Sequence, residues 1–173
     1  RLAMLVTLGL IAAFAGGIAA AGFEMVPAVD QSTLSITLDL PTGTETTVNV
    51  TGSGDLALTT AASVVTLNAS GYTGNLTYVA GTTTAATAIT TGAGNDNVTA
   101  TAAVNYTIDL GAGDDVLTTS DAAGELTVAD AIKGGDGTDT LVIGQAEAGT
   151  LDDGDAADAA VIAKITGFEQ LRI

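Results

Sequence analysis

Short runs in which apolar and polar residues alternate, punctuated by glycine, fill most of this chain. Strict alternation is the period of a strand with one buried face. Ser32–Leu40 alternates from Leu34 to Leu40 and predicts a half-buried strand; Thr46–Val50 predicts a second. Further strands are predicted at Leu56–Leu58, Val64–Leu67, Leu76–Val79, Ala88–Thr90, Val98–Ala100, Tyr106–Leu110, Val116–Thr118, Leu126–Val128 and Leu141–Ile143. Landmark glycines at Gly52, Gly71, Gly92, Gly111 and Gly135 are separated by steps of 19, 21, 19 and 24 residues. A near-constant step is the mark of a repeat architecture. One such unit cannot bury its own apolar face, so successive units stack over a continuous core. The predicted fold is mostly β: a parallel β-solenoid, β-roll or β-helix, over residues 51–173, with rungs about 4.8 Å apart.

The flanks read differently. Leu2–Phe23 is uncharged and long enough to span a bilayer as a helix. It predicts an apolar N-terminal helix, over a segment 1–27, packed in an assembly, a filament core or a membrane. The same stretch also fits a secretory signal, with Ala19-Ala20-Ala21 as a small-residue cleavage site. Val26-Pro27 closes it, because proline does not continue a helix. Residues 28–50 form a β linker or the first strands. Near the other end, Asp155 is placed to cap a short helix over Ala156–Lys164, ended by Gly167, and Phe168–Ile173 predicts one more strand.

Composition narrows the chemistry. The 173 residues carry 20 acidic side chains against 4 basic ones, a net charge of −16. No basic residue lies between Arg1 and Lys133, so nothing is placed to neutralise phosphates and nucleic acid is not an expected partner. Fourteen of the acids fall from Asp109 onward, where they repel one another unless cations intervene. With neither Cys nor His, disulfides, thiolate zinc sites, Ser-His-Asp triads and H-E-x-x-H metalloproteases are excluded. Neighbouring acids such as Asp114/Asp115 and Asp152/Asp153 are poor acid–base couples, since adjacent strand residues point to opposite faces. No enzymatic activity is expected. Aromatic residues make up only 3% of the chain, and thin rungs leave little room for rings, so the core is expected from Val, Leu, Ile, Ala and Thr.

The charged positions recur in a motif. Gly92-Ala93-Gly94-Asn95-Asp96-Asn97-Val98, Gly111-Ala112-Gly113-Asp114-Asp115-Val116-Leu117 and Gly134-Gly135-Asp136-Gly137-Thr138-Asp139-Thr140-Leu141 fit the nonapeptide G-G-x-G-x-D-x-U-x, U being a large apolar residue. Glycines at Gly92, Gly94, Gly111, Gly113, Gly135 and Gly137 permit sharp bends that aim carbonyl oxygens inward. Calcium takes six to eight oxygens at about 2.3–2.6 Å. One turn supplies half a site, and the turn stacked on it supplies the rest. Asp96, Asp115 and Asp139 are the expected carboxylate ligands, with Asn95, Asp114 and Asp136 as auxiliary oxygens. Gly52-Ser53-Gly54-Asp55-Leu56 and Gly71-Tyr72-Thr73-Gly74-Asn75-Leu76 lack the aspartate at its place in the motif and are expected to stack without a complete site. Taken singly, G-x-G-x-D also describes an ordinary β-turn.

Residues 51–173 resemble the repeat region of RTX-type calcium-binding proteins, and more narrowly bacterial surface-layer proteins with such repeats. GAGNDNV, GAGDDVL and GGDGTDTLVIG carry the resemblance, with LNASGYTGNLTYV and GFEQLRI beside them. The resemblance implies secretion, folding on meeting Ca2+ outside the cell, and a lattice, adhesive or toxin role. Two departures stand out: the copies lie 19 and 24 residues apart rather than consecutively, and the apolar N-terminus is foreign to export read from the C-terminus. The leading expectation is an extracellular structural or assembly subunit of a surface layer or filament, with copies of itself as partners. A pilin-like or membrane-anchored subunit, held through Leu2–Phe23, is the alternative. An adhesin or polysaccharide-binding module is another, although Tyr72, Tyr78 and Tyr106 are its only tyrosine platforms.

Overall fold

The computed structural model describes residues 23–25, 34–38, 46–60, 64–120, 122, 124–151 and 156–173. The N-terminal helix predicted over Leu2–Phe23 lies, but for its last residue, outside them, as does Asp155. Among the described residues no helix is long and apolar enough to cross a membrane.

The chain winds as a β-solenoid with two sheets. Strands β1 (Phe23–Met25), β3 (Thr46–Val50), β5 (Val64–Asn68), β7 (Thr87–Thr90), β9 (Tyr106–Asp109), β11 (Ala131–Lys133) and β13 (Ile165–Thr166) form one seven-stranded sheet in that order. The other holds β2 (Leu34–Leu38), β4 (Leu56–Thr60), β6 (Leu76–Val79), β8 (Asn97–Thr99), β10 (Val116–Thr118), β12 (Thr140–Val142) and β14 (Gln170–Arg172). Consecutive strands therefore alternate between sheets, and each pairs in parallel with the strand one coil later. The predicted first strands β2 and β3 belong to the same two sheets.

Alternation decides which side chains enter the core. In one sheet Val48, Leu67, Ile89, Ile108 and Ile132 stack in register, all buried. In the other, Leu58, Tyr78, Val98, Leu117 and Leu141 do the same. Burying each Leu or Ile is worth about 1.5–3 kcal/mol, the term that holds the rungs together. Between these residues the outward positions carry Thr77, Asn97 and Thr107, all exposed.

Three sequence expectations change. Leu126–Val128 is a turn, and the strand of that rung is β11, because Ile132 rather than Thr127 pairs with Ile108. Asp130 bends the chain there: its carboxylate accepts the N–H of Thr127 at 2.6 Å and of Tyr106 at 2.6 Å. Tyrosine is also not kept out of the core. Tyr72, Tyr78 and Tyr106 are all buried, and the Tyr78 hydroxyl lies 2.9 Å from that of Thr60. Finally, Tyr72, not Gly71, occupies the corner column with Gly52, and a Cβ on Gly71 would meet nothing within 4 Å.

Helix α2 (Ala156–Ile162) forms where a helix is predicted and ends two residues sooner, since Ile165 is drawn into β13 against Ile132. A further helix, α1 (Gln145–Thr150), was not anticipated; it sits between β12 and the last rung.

Candidate functional site

The Gly-x-Gly-x-Asp corners lie immediately before β8, β10 and β12. Parallel pairing of Asn97 with Val116, and of Val116 with Thr140, sets Asp96, Asp115 and Asp139 one above another. Leu76 precedes them in the column and Glu169 follows. All three aspartates are at most 1% exposed. The corner must be glycine for the coils to approach this closely. A Cβ on Gly113 would lie 2.3 Å from the Gly94 carbonyl oxygen, and one on Gly137 would lie 2.0 Å from that of Gly113. Gly113 and Gly137 also hold φ of 128° and 138°, a region L-residues avoid.

Each buried carboxylate reaches back one coil. Asp96 Oδ1 accepts the N–H of Leu76 at 2.8 Å, 20 residues earlier. Asp115 Oδ1 accepts that of Asp96 at 2.7 Å across 19 residues, and Asp139 Oδ1 that of Asp115 at 2.9 Å across 24. Glu169 closes the series by accepting the N–H of Asp139 at 2.8 Å across 30 residues. A hydrogen bond to an ionised carboxylate contributes about 1.5–3 kcal/mol net.

One residue outward, a second ladder runs the other way. Asn75 Oδ1 accepts the N–H of Asn95 at 2.9 Å, Asn95 Oδ1 that of Asp114 at 3.0 Å, and Asp114 Oδ1 that of Thr138 at 2.9 Å. Asn95 and Asp114 thus bind main chain on the exposed side of the corner, and Asp136 is exposed beside them. The glycine carbonyls differ from expectation as well. Those of Gly92 and Gly111 lie along the solenoid axis, accepting the N–H of Ala112 and Asp136 on the next coil, both at 2.9 Å.

The three aspartates are not equivalent. Both oxygens of Asp96 are occupied, since Oδ2 accepts the N–H of Gly92 at 3.2 Å. Asp115 Oδ2 and Asp139 Oδ2 are buried with no hydrogen-bond partner. Burial pushes the Asp115 carboxyl up to about 7, opposed by the Asp96 N–H and reinforced by the charges of Asp96, Asp139 and Asp114. Burial likewise raises Asp139, with the charges of Glu169, Asp114 and Asp136 adding to it. Asp96 is raised by burial against three hydrogen bonds that favour its charge.

A hard divalent cation suits oxygens of this kind. The two unpartnered oxygens on successive coils, Asp115 Oδ2 and Asp139 Oδ2, are where the donor set fits Ca2+ best; Asp96, fully bonded, fits less well. Among the described residues no group of three His, Cys, Asp or Glu side chains is arranged to hold a metal ion. Any ion at this corner therefore draws most of its ligands from main-chain oxygens or water.

Two features escaped the sequence reading. Glu169 continues the ladder, and its signal was present: Glu169-Gln170-Leu171 repeats the acid-x-apolar spacing of Asp139-Thr140-Leu141. The other is a buried acidic group, Glu125, Asp130 and Glu147, beside the turn before β11. No spacing in the sequence marks it. Comparison of the chain with protein-family models, with curated proteins and with solved structures returns no match.

Proposed function

We propose that this chain is a structural β-solenoid whose acidic corner is locked by Ca2+, acting as an assembly subunit outside the cell, in a surface layer or surface filament. The carrying observation is the pair of buried, unpartnered oxygens Asp115 Oδ2 and Asp139 Oδ2 on adjacent coils. Uncompensated carboxylates this deep are costly unless a cation or a proton meets them. Such a fold is loose where calcium is scarce and firm where it is abundant, which suits an extracellular setting. Extracellular calcium modules bind at about 10⁻⁴–10⁻³ M. At a hundredfold excess over the dissociation constant, one site adds about 2.7 kcal/mol. RTX-like behaviour is part of this reading, supported by the three motif copies and their stacking in one column.

The test is thermal unfolding of the full chain at pH 7.5 in calcium and in EDTA, with Asp115→Asn/Asp139→Asn as control. The reading expects a higher Tm in calcium for the wild type and a much smaller rise for the double variant. A wild-type curve that chelation leaves in place ends it. Assembly is read separately, by electron microscopy with and without calcium: ordered filaments or sheets support a subunit role, and monodisperse particles in both conditions remove it.

A further inference from the structure

A second group of buried acids lies away from the stacked aspartates, where Glu125 and Leu126 are bonded to Glu147 of α1 and Ser120, next to Thr119, is bonded to Glu125. Glu147 of α1 is fully buried and receives two main-chain donors, the N–H of Glu125 at 2.9 Å and of Leu126 at 3.0 Å. Glu125 is 4% exposed, and its Oε2 accepts the N–H of Ser120 at 2.8 Å together with the Ser120 hydroxyl. Its other oxygen, Oε1, is buried and has no partner. The hydroxyl of Thr119, 7% exposed, is likewise buried and unpartnered. Glu125 Oε1 thus lies unsatisfied beside a second buried carboxylate, and the unsatisfied Thr119 hydroxyl belongs to the residue next to Ser120, which bonds the same Glu125 side chain. The only ion pair among the described residues is elsewhere, between Lys133 and Asp109 at 3.3 Å, so no basic side chain is paired with these acids.

We propose that this corner is a separate divalent-cation site, with Glu125 Oε1 and the Thr119 hydroxyl as its unpartnered side-chain oxygens and the charge of Glu147, whose own oxygens accept main-chain N–H groups, beside them. Both are hard oxygen donors, and the carboxylates of Glu125 and Glu147 together match the charge of Ca2+. Nearby main-chain oxygens or water complete the six to eight positions calcium requires. Among the described residues the chain from Thr119 to β11 carries no strand before Ala131, so these have few ladder bonds of their own. An ion on Glu125 Oε1 ties this long connection to α1 through the charge of Glu147. The site is independent of the Asp115–Asp139 corner, and its test is built to report on it alone.

Burial first, then the charges of Glu147 and Asp130, raises the Glu125 carboxyl, with the Ser120 donors opposing. A proton on Oε1 is therefore the rival occupant. Tyr106 gives the readout: the charges of Glu125 and Asp130 act on its phenol, which places it beside this corner, whereas Tyr72 lies by Asp96. Terbium, which substitutes for calcium, is titrated into full-length Tyr72→Phe protein with excitation of tyrosine. The proposal expects sensitised emission that calcium displaces, lost when Glu125→Gln is added. Glutamine keeps an oxygen for the Ser120 donors and removes the charge, so the fold is retained. Calorimetry should then count one calcium fewer in Glu125→Gln than in wild type, and Thr119→Val should weaken that same site. Unchanged emission and stoichiometry in Glu125→Gln assign Oε1 to a proton and overturn the site, even if the Asp115–Asp139 corner binds calcium.

Discussion

Replacing Asp115 by Asn separates the two demands placed on that side chain. Oδ1 accepts the Asp96 N–H at 2.7 Å, a bond that an amide oxygen reproduces. Oδ2 is buried and unpartnered, and the carboxyl is raised from 3.8 to about 7. A folded-state value above the unfolded one means that the native state holds the proton more tightly. The associated stability is fully present below about pH 3.8 and is lost as pH rises through about 7. Three pH units at 1.36 kcal/mol each put the penalty of the bare carboxylate at about 4 kcal/mol by pH 8. Asn removes that penalty but leaves an amide N–H without an acceptor, costing about 1–3 kcal/mol. In EDTA at pH 8 the variant should therefore be more stable than wild type, by roughly 1–3 kcal/mol. At pH 5 the advantage should shrink or invert, since wild type is then largely protonated at this position.

Calcium should reverse the order. An ion at Oδ2 stabilises the wild-type carboxylate and does nothing for the amide, so wild type overtakes the variant once calcium is well above its dissociation constant. Urea unfolding of both proteins at pH 5 and pH 8, with calcium or with chelator, gives the four differences required. If Asp115→Asn is the less stable protein in EDTA at pH 8 by several kcal/mol, the unpartnered oxygen is not a liability and the reasoning fails.

Gly113→Ala should cost about 2–4 kcal/mol, through its clash with the Gly94 carbonyl and its positive φ, read as a fall in the urea midpoint. Gly149→Ala, inside α1 with nothing within 4 Å, should instead stabilise by about 0.5–1 kcal/mol, so a matching loss in both would discredit the stacking argument. Leu117→Ala in the fully buried column should cost about 2–5 kcal/mol in the same assay. Asn95→Ala exposes the Asp114 N–H to water on the outer side of the corner, and a change in stability above about 1.5 kcal/mol would be too large for that ladder.

What the sequence made legible was periodic. Period-two alternation located most strands, and the glycine steps located the coils, because both are imposed by local backbone geometry. The stacking of Asp96, Asp115 and Asp139 follows from those two facts together. The misreadings have a common origin: alternation says that a segment suits a strand, not that a partner waits for it. Leu126-Thr127-Val128 alternates as well as Ala131-Ile132-Lys133 does. Ile132 takes the place over Ile108 because the Asp130 carboxylate ties down the N–H groups of Thr127 and Tyr106. That bond spans 24 residues and has no local signature. Gly71 misled for the same reason, since the column is set by which residue lies over Gly52, and that is Tyr72.

The acidic corner shows the limit more sharply. Residue types at fixed spacing identified oxygens that share an edge, but not what each oxygen bonds. Most are spent on main-chain N–H groups of the neighbouring coil. An aspartate at the start of a strand blocks nothing in the ladder and satisfies a donor that the tight corner would otherwise orphan. The same residue thus serves the fold whether or not an ion is present, and Glu169 does likewise with a longer side chain, delivering Oε2 to the Asp139 N–H at 2.8 Å. On the proposed calcium reading, metal ligation at this edge would be confined to oxygens left over from that task. That reading then expects the number of ions bound to follow the count of unpartnered buried oxygens rather than the count of motif copies. The first copy, with both Asp96 oxygens engaged, should contribute the least.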